Sequence, residues 1–120
     1  MKSELTKEQS QHLIDLGISK DYASWRVIDI DVDINMPLER LIEESKVEPY
    51  FTLNSILEIL PNNIGERNRI VESGERGHFA YYCGANGSLD WKSAKEELID
   101  SLYELVCWCI ENNYINTKTQ

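Results

Sequence analysis

The C-terminal third of the chain carries a helical pattern that strongly limits the folds open to it. Between Ala94 and Asn112, apolar residues recur at the spacing of one helical face. That face comprises Ala94, Leu98, Ile99, Leu102, Tyr103, Leu105, Val106, Cys109 and Ile110. The opposite face carries Glu97, Asp100, Glu104 and Glu111. The pattern predicts an amphipathic helix of about five turns, at 3.6 residues per turn. Its apolar side must be buried against a second layer.

Shorter helices are predicted nearer the N-terminus and in the middle of the chain. Thr6 and Gln9 have the spacing of a capping box, and Gly17 can adopt the left-handed conformation that ends the helix. Pro37 suits the first turn of a short helix that contains Leu38, Leu41 and Ile42. Thr52 is a good N-cap for a helix that Pro61 stops.

Strands are predicted in two regions. From Trp25 to Ile34, β-branched residues alternate with aspartates, which is typical of a strand with one wet face. From Ile70 to Cys83, two β-prone runs flank a glycine-containing turn, which predicts a hairpin. We interpret residues 47–50 as a connector and residues 84–88 as a loop. We expect the long helix to lie across a sheet built from the aspartate-rich strand and the hairpin.

These elements predict a single α+β domain over residues 1–120, with frayed ends at about 1–5 and 116–120. Its small antiparallel sheet of about three strands would pack against the long C-terminal helix and the shorter helices. The chain has 12 basic and 21 acidic residues, a formal charge of −9. This balance disfavours direct nucleic-acid binding and binding to anionic membranes.

The cellular compartment is predicted from the termini and the cysteines. No apolar run approaches the ~20 residues that span a bilayer, and the N-terminus lacks the apolar stretch of a signal peptide. Three cysteines, without a secretory signal, indicate reduced thiols. The sequence therefore predicts a cytoplasmic protein without a membrane segment.

Asp29, Asp31 and Asp33 form an acidic ladder in the predicted strand. A calcium-binding EF-hand loop would also need Gly at position 6 and Glu at position 12, and neither register supplies them. On a strand the three carboxylates would be ~6.6 Å apart, which spreads charge rather than converging it on an ion. The main interpretation is a solvated strand face. The alternative is imitation of a phosphate backbone, as in a DNA-mimic inhibitor of a host nucleic-acid-binding protein.

No catalytic, cofactor or metal site is predicted. His12 and His78 do not belong to a recognisable local catalytic motif, and there is no phosphate-binding glycine loop. Cys107 and Cys109 would point about 160° apart on a helix, so they could not chelate one ion. Cys109 is expected in the core. We therefore predict a protein that is not an enzyme and needs no cofactor.

Aromatic residues are the candidate partner-binding groups. Trp108 lies near the polar arc of the long helix, where it must be covered by another element or exposed as an anchor for a partner. Of Tyr81 and Tyr82, one should face outward if the hairpin pairs regularly. We predict that the protein acts by protein–protein contact, with a homodimer as one possible form.

Three stretches of the sequence carry a resemblance: Leu5–Ser10 with Leu16–Ile18, Phe51–Pro61, and Glu97–Asn112. Together they cover about half of the chain and resemble small uncharacterised proteins encoded by phages, prophages and mobile elements of gut Bacteroidetes. The resemblance implies a phage or mobile-element accessory protein. It implies no reaction, cofactor or catalytic residue.

Overall fold

The computed structural model describes residues 2–29, 31–33, 35–85, 87–88 and 93–115, and it confirms the α+β class. The helices in these ranges are α1 (Lys7–Asp15), α2 (Leu38–Glu43), α3 (Leu53–Ile59) and α4 (Leu98–Glu111), with a short 3-10 turn at Lys20–Tyr22. The strands are β1 (Ser24–Val27), β2 (Val47–Tyr50), β3 (Asn63–Ile64), β4 (Arg67–Gly74), β5 (Gly77–Gly84), β6 (Gly87–Ser88) and β7 (Ser93–Lys95).

Two antiparallel sheets organise the described strands. β1 and β2 form a two-stranded sheet. In the larger sheet the order is β3-β4-β5-β6, and β7 also pairs with β5. The long β4–β5 hairpin confirms the predicted turn, because Gly74 pairs with Gly77 across it.

The helix starts follow the predicted caps. The Gln9 N–H donates to Thr6 Oγ1 at 3.1 Å, and Gln9 Oε1 accepts from the Thr6 N–H at 3.0 Å, which completes the capping box. α1 ends before Gly17, whose φ of 106° is left-handed. The Ser55 N–H donates to Thr52 Oγ1 at 3.2 Å and so caps α3. α2 begins directly after Pro37, as predicted.

α4 packs on β5 and β7 and closes the main core. Its buried apolar residues are Ile99, Leu102, Leu105, Val106 and Cys109. They join a cluster that contains Phe51 and Tyr82. The helix starts at Leu98, so the prediction that it begins near Ala94 was wrong. Residues 93–95 instead pair with β5, where the strand edge supplies partners for their backbone groups.

The strand predicted from Trp25 to Ile34 is confirmed as far as Val27, where β1 ends, and its aspartate-bearing part was wrong. Asp29 Oδ1 accepts from the Asp31 N–H, and Asp33 Oδ1 accepts from the Asn35 N–H, both at 2.9 Å. Such bonds between an aspartate and the backbone two residues on favour turns over strands. Ile30 and Ile34, which carried the alternating pattern, lie outside the described residues.

Two segments without predicted structure are strands. Residues 47–50 form β2, and Pro49, which has no backbone N–H, lies opposite Trp25, where the backbone nitrogen points away from β1. Gly87 and Ser88 pair with the end of β5 in the predicted loop. The β1–β2 pair packs against α1, so it is not part of the sheet beneath α4.

Candidate functional site: a tyrosine-lined groove

Tyr81 and Tyr82 are both buried, at 8% and 1% exposure, so the prediction that one faces outward was wrong. The Tyr81 hydroxyl donates to Glu72 Oε1 at 2.6 Å, and this bond raises the pKa of Tyr81. The Tyr82 hydroxyl donates to the Pro61 carbonyl oxygen at 2.7 Å, and burial raises the pKa of Tyr82. These contacts assign both side chains to internal packing.

Trp108 is half-buried against the main core, and its ring contacts Tyr114 with 5.3 Å between centroids. Tyr114 reaches it because the chain reverses after α4. The Asn113 N–H donates to the Ile110 carbonyl and the Tyr114 N–H to the Cys109 carbonyl, with Asn113 at a φ of 63°. This is a Schellman motif, which asparagine tolerates. The ring of Tyr114, which is 41% exposed, thus lies against the ring of Trp108, the predicted anchor.

Tyr114 lines a groove of about 1010 Å³ between the segment after α1, helix α3 and the end of α4. The apolar residues that line this groove include Ile18, Leu57, Pro61 and Ile115. Tyr22, also 41% exposed, lines the groove as well. The polar lining side chains include Asn54, Glu58 and Asn62, all exposed. Polar and apolar groups therefore share the lining of this groove in similar measure.

The backbone of the α3 wall already has internal partners. Arg69 Nη1 donates to the carbonyl oxygens of Leu57 at 3.0 Å and Leu60 at 3.2 Å. A guanidinium at this helix C-terminus satisfies open carbonyls and complements the helix dipole. Together with the Tyr82 bond to Pro61, these bonds give three carbonyl oxygens of the wall internal partners.

The acidic ladder does not lie on a strand. Asp29 Oδ2 accepts from Lys46 Nζ at 2.6 Å, and this bond lowers the pKa of Asp29. Asp31 and Asp33 belong to the turns described above, outside any described strand. Within the described ranges, no group of three or more His, Cys, Asp or Glu residues is arranged to hold a metal ion.

The histidines occupy surface positions outside the groove. His78 Nδ1 and Ser73 Oγ are 2.6 Å apart across the hairpin, where they form an exposed cross-strand pair. His12 is exposed on α1 and contacts Tyr103 edge-on, with 6.2 Å between ring centroids. It lines a surface depression formed by residues of α1 alone, including Glu8 and Asp15.

The cysteines of α4 are packing residues. Cys109 is fully buried, as predicted, and burial raises the pKa of its thiol to about 12. Cys107 is half-buried, and burial raises the pKa of its thiol to about 11. Both thiols therefore remain protonated near neutral pH, which disfavours nucleophilic or ligand chemistry.

The groove itself had no single signal in the sequence, because three distant segments build it. One local clue was the Asn112-Asn113 pair, since asparagine often occupies the left-handed position that reverses a chain. No helix in the described part of the chain has the length and apolar character needed to cross a membrane. Comparison of the chain with models of protein families, with curated proteins and with solved structures gives no match.

Proposed function

We propose that the protein acts by binding a protein partner through the groove between α3 and the end of α4. The observation that carries the proposal is the presence of Tyr22 and Tyr114 on this groove, each with 41% of its surface exposed. Tyrosine is enriched at protein interfaces because it offers a large apolar ring and a polar hydroxyl.

Packing behind the groove supports the same proposal. Trp108 holds the ring of Tyr114 from the core side, and the Schellman motif fixes the backbone at Tyr114. A rigid aromatic side chain loses less conformational entropy on binding than a mobile one. Trp108 thus contributes to binding by positioning Tyr114, which refines its predicted role as an anchor.

The proposal assigns no reaction and no cofactor to the chain. It agrees with the resemblance to phage and mobile-element accessory proteins. The three free cysteines support a cytoplasmic location for this activity.

Quantitative affinity capture with purified protein as bait tests the proposal. Partners should be retained by wild type and by Val71→Ala but lost with Tyr114→Ala. Val71 is the matched control, because it is also 41% exposed and lies on β4. Equal retention by both variants, with both folded by circular dichroism, would contradict the proposal.

The alternative function, DNA mimicry, was based on an evenly spaced row of carboxylates along a strand. Asp29 is instead paired with Lys46, and the three aspartates do not follow a strand. It still makes a distinct prediction. Competition with DNA for a host protein should weaken with salt and disappear when Asp29, Asp31 and Asp33 are replaced by asparagine. Retention of competition by the triple variant would remove this alternative.

A further inference from the structure

We infer that the groove binds an extended segment of the partner, with both apolar and polar side chains, that places one arginine or lysine beside Glu58. This inference rests on the proposed function, which it deepens by specifying the chemistry of the occupant. Three properties of the groove carry it: its open shape, the polar groups left unbonded, and its charge.

The shape favours a segment over a small molecule. Small-molecule sites commonly bury about 70–90% of their ligand. This groove has about 1010 Å³, and the tyrosines that line it keep 41% of their surface open. Such an open site favours an elongated ligand that lies along it over a small one that must be enclosed. A chain running along it can instead contact Leu57, Pro61 and Ile115 through successive side chains.

The polar lining groups are suited to a peptide. Asn54 and Glu58 are four residues apart on α3, so they lie on the same helical face. With Asn62, they make no side-chain hydrogen bond or ion pair within the described part of the chain. Asparagine amides both donate and accept, so they can bond the N–H and C=O groups of an extended backbone.

The charge of the groove selects a basic residue. Glu58 is the only Asp, Glu, Lys or Arg among the described residues that line the groove. It has no ion-pair partner among them, and the whole chain has a formal charge of −9. A cation on the partner would therefore be steered to the groove and bonded by the carboxylate. The exposed tyrosine rings add faces that attract a guanidinium. The chain already makes this contact elsewhere, with Arg26 Cζ at 4.5 Å from the Tyr50 ring centroid.

Pools of synthetic nine-residue peptides provide the test. The central residue is fixed as Arg, Lys, Glu or Leu, the other positions are randomised, and binding is measured by fluorescence polarisation. The Arg and Lys pools should bind wild type at least about fivefold more tightly than the Glu pool. Glu58→Gln should reduce this preference at least about twofold, since it removes the carboxylate beside the bound cation and keeps the shape, while the charge of the rest of the chain remains. Glu43→Gln is the matched control, because Glu43 is an exposed glutamate on α2, and it should keep the full preference.

Several outcomes would overturn the inference while leaving the proposed function intact. These are peptide binding that depends on Tyr114 but shows no basic preference, and capture of a partner through Tyr114 without any peptide binding. Light scattering that shows a dimer abolished by Tyr114→Ala would assign the groove to a second copy. Failure of both the peptide binding and the Tyr114-dependent capture would overturn both proposals.

Discussion

The hairpin between β4 and β5 turns at Gly77, whose φ is 114°, a conformation that side chains with a Cβ rarely adopt. A Cβ added at this position would lie 2.5 Å from the Lys95 carbonyl oxygen and 3.1 Å from its carbonyl carbon. Both atoms belong to the backbone of β7, so the clash cannot be relieved by moving a side chain. Gly77→Ala should therefore loosen β7 from β5, next to the N-terminus of α4.

The expected cost has two parts. A non-glycine residue at a sparsely populated positive φ costs about 1–3 kcal/mol. Displacement of the β7 backbone adds the loss of about one buried hydrogen bond, roughly 1 kcal/mol. We expect a total of about 2–4 kcal/mol. An unfolding entropy of about 2.1 cal/mol/K per residue then gives a Tm decrease of roughly 8–16 °C.

Gly74→Ala is the matched control, because it lies across the same turn with no atom within 4 Å of the added Cβ. It should change the free energy of unfolding by less than about 1 kcal/mol. Urea denaturation followed by circular dichroism measures both variants. If Gly77→Ala costs no more than Gly74→Ala, then the close approach of β7 to the hairpin is not a constraint on the fold.

Three further predictions concern α4. Ser101→Ala removes the fully buried hydroxyl that donates to the His78 carbonyl oxygen at 2.7 Å and should cost about 1–2 kcal/mol, whereas Ser3→Ala, at an exposed site, should stay within about 0.5 kcal/mol. Equal values for the two serines in urea denaturation would refute this role. Leu105→Ala should cost about 2–5 kcal/mol because it empties a fully buried site, and Leu38→Ala, with 46% exposure, should cost much less; similar midpoints of unfolding would count against the core assignment. The folded state raises the pKa of the Cys109 thiol from 9.0 to about 12, so its contribution to stability is complete below about pH 9 and is lost as the pH rises towards 12. The free energy of unfolding under reducing conditions should fall between pH 8 and 10.5, and an equal fall in Cys109→Ala would refute this assignment.

The sequence predicted those elements whose signals are local. The capping box at Thr6, the cap at Thr52 and the apolar stripe of α4 each depend on residues within a few turns of one another. The hairpin also followed from a short turn with two glycines. In such cases the backbone needs and the side chains that meet them lie in the same segment, so the pattern is sufficient.

The sequence misled where local bonding or distant pairing prevailed. Alternation predicted a strand through Asp29, but aspartate side chains bonded nearby backbone N–H groups and made turns. Helical spacing included Ala94, but the open edge of β5 bound that segment as β7. Ser101 was not predicted as buried, because its partner carbonyl is 23 residues away in the sequence.

The sequence by itself determined the class of the domain, its acidic charge and the amphipathic helix that closes its core. Only the tertiary structure decided where the binding surface lies. It buried Tyr81 and Tyr82, placed Trp108 behind Tyr114, and joined α3 to the segment after α1 in one groove. The physical reason is that burial depends on contacts between segments far apart in the chain, whereas periodicity reports only which residues share a face.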